Sequence, residues 1–321
     1  MHSECLQRSF FATLGGPTLG FMLTEIRGTR LYVDPRGAAD APPLLYIHGG
    51  PGAGSYDFLA YQGDRLAERL RVIGVDQRGV QQSDPIDEPA TEEDVIADFE
   101  ALRDQLRVDH WAVLGHSYGG RLALRYAVTR PETVSKVIFE NPPWDMVLAT
   151  RTLVEAAGPL LSELGLENEA KRLLAHQGPA TSETWDERIA LLHQLGDRRM
   201  EVYLGPTSHG LRLPSNDLPE EVQERAGYFA ETITRAPSFN ESLLPYLAQL
   251  TQPALLIKGE YDPVTSSEEI ARFQADAPNA TYRQVDGVGH FVHAEQPAEY
   301  AELVTAFVLG SAAALQQPVR D

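Results

Sequence analysis

The chain has 321 residues, 46 of them acidic and 27 basic, for a net charge of −19 with histidine neutral. That balance argues against nucleic acid or an anionic membrane surface as the main partner. The 43% hydrophobic and 23% charged content is that of a globular protein, and the length allows a substantial core without staples. The one cysteine, Cys5, rules out an intrachain disulfide and a cysteine-built metal site; it fits a reducing compartment, and a cytoplasmic setting is expected.

The stretch from Ser9 to Leu23 leans apolar behind Arg8, but Gly15, Gly16 and Pro17 interrupt it and it is too short to cross a membrane. It reads as a lead-in to the first strand, with a signal peptide as the alternative. Leu44-Leu45-Tyr46-Ile47 is a short apolar run that ends at His48-Gly49-Gly50-Pro51-Gly52. Residues 57–70 then carry Phe58, Leu59, Leu66 and Leu70 at helical spacing. A second run, Arg71 to Val75, ends at Asp76-Gln77-Arg78-Gly79. Residues 91–107 read as a helix through Val95, Phe99, Leu102 and Leu106, with Thr91 as N-cap and acids in the first turn.

Trp111 to Leu114 is the next run, and Gly115-His116-Ser117-Tyr118-Gly119-Gly120 follows it. A helical face of Leu122, Ala123, Tyr126 and Ala127 comes next and stops at Pro131. Further strands are expected at Lys136–Glu140, Ala254–Lys258 and Thr281–Val285, with helices near 266–275 and 297–308. Continuous apolar strands alternating with amphipathic helices indicate an α/β fold, a mostly parallel sheet covered on both faces. The alternation fails between Trp144 and Tyr246, a stretch too long to be a loop. It reads as an inserted helical cap over 144–246, which leaves a discontinuous core of 1–143 and 247–321.

Ligands of such sheets bind at the carboxyl ends of the strands, where each of these motifs lies. A G-x-S-x-G between a strand and a helix is a nucleophile elbow, which exposes Ser117. A serine nucleophile needs a base, and the base needs an acid, in the chain order Ser, Asp or Glu, His. Asp262 of Gly259-Glu260-Tyr261-Asp262 and His290 of Gly289-His290 fall on strand-end loops in that order. Glu260 is the alternative acid and His293 the alternative base. An acyl-transfer intermediate also needs two aimed N–H donors. Tyr118 N–H supplies one, and the loop at 48–52 the other, with Gly50 preferred over Gly49.

Taken together, His48-Gly-Gly-Pro-Gly52, Asp76-Gln-Arg-Gly79 with Ser83, Gly115 to Gly120, Gly259 to Asp262 and Gly289-His290 resemble the proline iminopeptidases of the α/β-hydrolase family, the tricorn-interacting aminopeptidase branch in particular. The resemblance covers roughly 30–140 and 250–310. It implies Ser117, Asp262 and His290 as the triad, Gly50 and Tyr118 as the oxyanion hole, no cofactor and no metal. It also implies removal of an N-terminal residue from a short peptide or arylamide, with cap carboxylates on the free amine. Glu231, 31 residues before Asp262, matches an amine-binding position. Pro263 stands where some members carry a second acid, which brings in Glu140 or Asp145 as substitutes. Trp144 and Tyr118 are expected to line an apolar pocket, and Arg78 to hold a loop by pairing with a carboxylate. An esterase or lactonase acting on a small metabolite with the same triad is the alternative activity. The expected partner is a small molecule or short peptide, with neither nucleic acid nor membrane.

Overall fold

In the computed structural model, which describes residues 21–175 and 182–311, the apolar runs become strands of one sheet. The strands are β1 (Met22–Ile26), β2 (Thr29–Arg36), β3 (Pro43–Ile47), β4 (Arg71–Val75), β5 (Trp111–His116), β6 (Val134–Glu140), β7 (Ala254–Gly259) and β8 (Ala280–Val285). They lie in the order β1-β2-β4-β3-β5-β6-β7-β8. β2 runs antiparallel to both β1 and β4, and every other pairing is parallel. β5 and β7 are buried at every residue, so their side chains alternate between two cores rather than between core and water. Val113, Val137 and Phe139 pack on one face with Phe99 and Leu122. Ala112, Leu114 and Ile138 pack on the other with Phe58, Tyr300 and Val304.

Helix α1 (Glu92–Gln105) starts at Thr91, whose hydroxyl accepts from Asp94 N–H while the Asp94 carboxylate accepts from Thr91 N–H. Two orphan donors are thereby satisfied reciprocally, as the N-cap expectation requires. Helix α2 (Tyr118–Thr129) follows β5 directly. The helix expected over 57–70 is present over 56–67, with a wider π turn at Leu59–Gly63. Arg36 Nη1 donates to the Leu59 carbonyl within that turn at 3.1 Å. The first strand, β1, begins where the expected lead-in ends; that it turns back as a β1–β2 hairpin was not specified. The hairpin closes on Arg27 and Gly28, both at positive φ, the backbone of a tight right-twisting hairpin turn.

Between β6 and β7 the described residues contain helices and no strand: α3 (Met146–Ala156), α4 (Gly158–Glu163), α5 (Glu167–Leu174), α6 (Ser182–His193), α7 (Arg199–Tyr203), α8 (Glu220–Glu224) and α9 (Ala226–Arg235). This insert has a small core of its own around Leu153, Leu161, Leu173, Leu191 and Leu192. Its two ends meet where Leu243 N–H donates to Trp144 O at 2.8 Å. Arg121 of α2 reaches into it and donates to the carbonyls of Trp144, Ser238 and Glu241. After β7 come α10 (Ser267–Asp276), then, beyond β8, α11 (Val292–Glu295) and α12 (Pro297–Leu309). No helix among the described residues is long and apolar enough to cross a membrane.

Candidate active site

Ser117 occupies the turn between β5 and α2 at φ 53° and ψ −129°, a conformation that costs a side-chain-bearing residue of order 1–3 kcal/mol and persists only where the surroundings enforce it. The enforcement is visible. Ser117 N–H donates to Glu140 O at 2.8 Å. A Cβ on Gly119 would stand 2.1 Å from the Ile47 carbonyl oxygen, and one on Gly115 2.2 Å from that of Gly119. Helix α2 can therefore press against β3 and against the end of β5 only with glycine at those places. Tyr118 opens α2, so its N–H has no acceptor within the helix. Tyr118 and Gly50 line one cavity of about 660 Å³ together with Ser117 and His290.

Asp262 and His290 stand on the loops after β7 and β8. His290 Nδ1 lies 2.6 Å from Asp262 Oδ1. The Asp262 carboxylate also accepts from Val264 N–H at 3.1 Å and Thr265 N–H at 3.0 Å, and Lys258 Nζ is 3.3 Å away. Burial opposes its charge, but the hydrogen bond and field of His290, Lys258 and the Thr265 amide outweigh burial and hold the carboxyl below its ordinary range. Glu260, the alternative acid, is turned elsewhere and accepts from Gly287 N–H at 2.8 Å.

The His290 backbone is pinned on both sides. Its carbonyl accepts from Asn141 Nδ2 at 2.8 Å and from His116 Nε2 at 3.0 Å. Its N–H donates to Tyr203 O of the insert at 2.6 Å. Glu295 joins the same two pieces: its carboxylate accepts from Gly205 N–H at 2.8 Å, from Gly289 N–H at 3.0 Å and from Phe291 N–H at 3.2 Å. The loops at the other strand ends are also mutually tied. His48 Nε2 accepts from Gln77 N–H at 3.1 Å, and burial lowers the His48 pKa to about 4, which keeps the ring a neutral acceptor. Asp76 Oδ1 accepts from both Ser55 N–H and Ser55 Oγ at 2.8 Å. The glycine loop and the Asp76–Gly79 turn thus form one hydrogen-bonded unit. Arg78 pairs with Asp98 at 2.5 Å, the loop-holding role expected of it.

Residues 42–297 match the family described as alpha/beta hydrolase fold. The chain belongs to the α/β-hydrolase family. Within it, this hydrolase is 28% identical over 285 residues to the proline iminopeptidase of Neisseria meningitidis serogroup B, covering 81% of this chain and 86% of that one. Among solved structures, the proline iminopeptidase of Mycobacterium smegmatis superposes with a TM-score of 0.65 at 22% identity, covering 91% of this chain and 98% of that one. The enol-lactonase from Burkholderia xenovorans LB400 does so with a TM-score of 0.63 at 17% identity, covering 90% and 100%. The fold is common to all; the chemistry of the substrate is not fixed by it.

The structure departs from the expectations for the substrate-binding side chains of this α/β-hydrolase. Trp144 does not line the cavity. It is fully buried, stacked on Phe273 of α10 and edge-on to Phe139 of β6, because the core over the sheet claims it. Trp185 of α6 lines the cavity instead. Glu140 is also closed off. It is fully buried and accepts from His293 N–H and Nδ1, both at 2.9 Å, and from the Tyr300 hydroxyl at 2.8 Å. Asp145 caps α3 through Val147 and Leu148 N–H. Glu231 does line the cavity, but it is exposed and paired with Arg235 at 3.0 Å. Sequence reasoning did not bring forward Asp57, a half-buried carboxylate of the cavity wall. No motif marks it; its only signal is its place five residues after the glycine loop.

His116, Glu140 and His293 bring ligand-type atoms within 4.8 Å of one another, a spacing at which a metal could be held. Two of the ring nitrogens already have partners, while buried His293 Nε2 has none among the described residues. His293 Nδ1 serves Glu140, and His116 Nε2 serves the His290 carbonyl. As folded, the trio is a hydrogen-bonded support behind the loop of His290.

Proposed function

We propose that this α/β-hydrolase is a serine hydrolase that cleaves an amide next to a free α-amine. It would release an N-terminal residue from a short peptide or an aminoacylated small molecule. The observation that carries the reading is the 2.6 Å contact of His290 Nδ1 with buried Asp262, on the same cavity as the strained Ser117. Ser117 Oγ attacks the carbonyl carbon, and His290 Nε2 takes the hydroxyl proton and passes it to the leaving amine. Asp262 holds the ring with Nε2 toward the cavity and stabilises the imidazolium. The oxyanion is received by Tyr118 N–H and Gly50 N–H. Water, activated by the same base, then frees the acyl group, and the cycle calls for no cofactor. The likeness to a proline iminopeptidase supports the amide substrate. A cytoplasmic setting belongs to the same reading and rests on the single cysteine of the sequence.

The test is hydrolysis of aminoacyl arylamides with and without an N-acetyl group. Faster turnover of the free amines is expected, and equal rates would remove amine recognition. Ser117→Ala should lower kcat by at least about 10³-fold; near-normal activity in that variant would remove Ser117 as nucleophile.

One observation favours a second reading, an esterase or lactonase with the same residues. Glu231 is spent on Arg235, and Pro263 follows Asp262, so the carboxylates expected at the amine are not free. Comparing p-nitrophenyl esters with arylamides of matched acyl group separates the two.

A further inference from the structure

We propose that Asp57, on the sheet side of the cavity, is the carboxylate that receives the ammonium group of the substrate. The inference rests on the reading of amide cleavage beside a free amine and deepens it.

Three carboxylates come near the question, and their surroundings differ. Glu140 is sealed below the cavity and saturated by His293 and Tyr300. Glu231 opens to solvent and is neutralised by Arg235. Asp57 lines the cavity, is half-buried, and has only neutral hydrogen-bond donors: Ser215 N–H at 2.7 Å on Oδ1 and Ser215 Oγ at 2.6 Å on Oδ2. No lysine or arginine among the described residues forms an ion pair with it. Burial pushes its carboxyl up, against the Ser215 bonds and the field of His293. A carboxylate drawn partly out of water without a cation is ionised at a cost, and an incoming ammonium removes that cost.

The geometry also leaves room for the ligand. Each Asp57 oxygen accepts one bond from Ser215, and an ionised carboxylate has about four acceptor sites. Ser215 belongs to the insert, so the side chain is fixed from the far wall rather than left to swing. Arg199 and His193 line the cavity as well, but both sit on the insert, and neither is among the groups whose charge acts on Asp57. Tyr46 and Leu213 line the same cavity. The ligand class is therefore a primary ammonium on a small apolar body.

The experiment uses the full chain and reads the rate at which a fluorophosphonate labels Ser117, with n-butylamine or the neutral n-butanol as protecting ligand. The amine should protect the wild type about tenfold better than the alcohol, the size of one charge-assisted hydrogen bond. In Asp57→Asn that preference should vanish. In Ser215→Ala, which keeps the carboxylate, it should persist. An unchanged preference in Asp57→Asn, no preference in the wild type, or equal loss in Ser215→Ala would each overturn the proposal. Asp57→Ser, which keeps an acceptor for Ser215, decides the matter if Asp57→Asn does not label. The outcome is separate from that of the arylamide assay. A wild type that ignores N-acetylation yet shows an Asp57-dependent preference for the amine discards the peptidase reading alone. One that discriminates N-acetylation equally with and without Asp57 discards this inference alone.

Discussion

Glu140 illustrates how a single side chain can be chemically prominent and still be structural. Burial works against its charge, but the field and hydrogen bonds of His293, with His116 nearby, bring its pKa down to about 2. Because folding depresses this carboxyl, its stabilising contribution is complete above the ordinary glutamate range near about 4.3 and is lost as pH falls toward 2. The urea midpoint of the wild type should therefore drop over that window. Glu140→Gln should be less stable at pH 7 by about 3 kcal/mol, and the difference between the two proteins should shrink on acidification. A constant difference from pH 6 to pH 3 would mean that the carboxylate is not ionised in the fold. The residues proposed to react were legible in the sequence because Ser117, Asp262 and His290 each follow a strand in the order the chemistry demands, buried and largely apolar for β5 and β7, half-exposed and mixed for β8. Asp57 and Glu295 were not, since a lone acid in a short helical turn belongs to no motif. What distinguishes them is a partner far along the chain, Ser215 for one and Gly205 for the other.

At the scale of elements, the unit β5, turn, α2 holds the whole site in register. Its tolerance is set by backbone meeting backbone, where no side chain can rotate aside. Gly119→Ala would place a methyl carbon 2.1 Å from the Ile47 carbonyl oxygen. It should cost about 1–3 kcal/mol or more, seen as a fall of several degrees in Tm with loss of fluorophosphonate labelling. Wild-type Tm and labelling in that variant would contradict the close packing described. The strands from β3 to β7 could be read from composition because both faces are largely buried and each carries a continuous apolar run, with Arg71, His116, Lys136, Glu140 and Lys258 flanking those runs. The β1–β2 hairpin carried a weaker signal: β1 is a half-exposed edge strand, where Met22 and Leu23 face solvent, and the apolar run of buried β2 is cut short by Asp34 and Pro35. The helix after the glycine loop was legible from its spacing, but not the π turn at Leu59–Gly63 inside it, since apolar periodicity marks a helical face and not the hydrogen-bond pattern within it.

For the molecule as a whole, the relation between sheet and insert matters most. Glu295 receives N–H groups from both, Gly289 and Phe291 on one side and Gly205 on the other. Glu295→Ala should lower kcat about tenfold or more with a smaller change in KM, because it loosens the loop that carries the proposed base rather than the cavity wall. Glu295→Gln, which keeps one acceptor oxygen, should fall between that variant and the wild type. A change confined to KM would place Glu295 in binding instead.

The amide of His290 ends on the Tyr203 carbonyl, and a Cβ on Gly289 would stand 2.1 Å from that same oxygen. An insert that swung off the sheet as a lid would tear its hinge line through the residue proposed to shuttle the proton. Opening and disarming would be a single event. An open enzyme would be a safe one, unable to act on whatever drifts into it, and the seating of the substrate would also be the setting of the trigger.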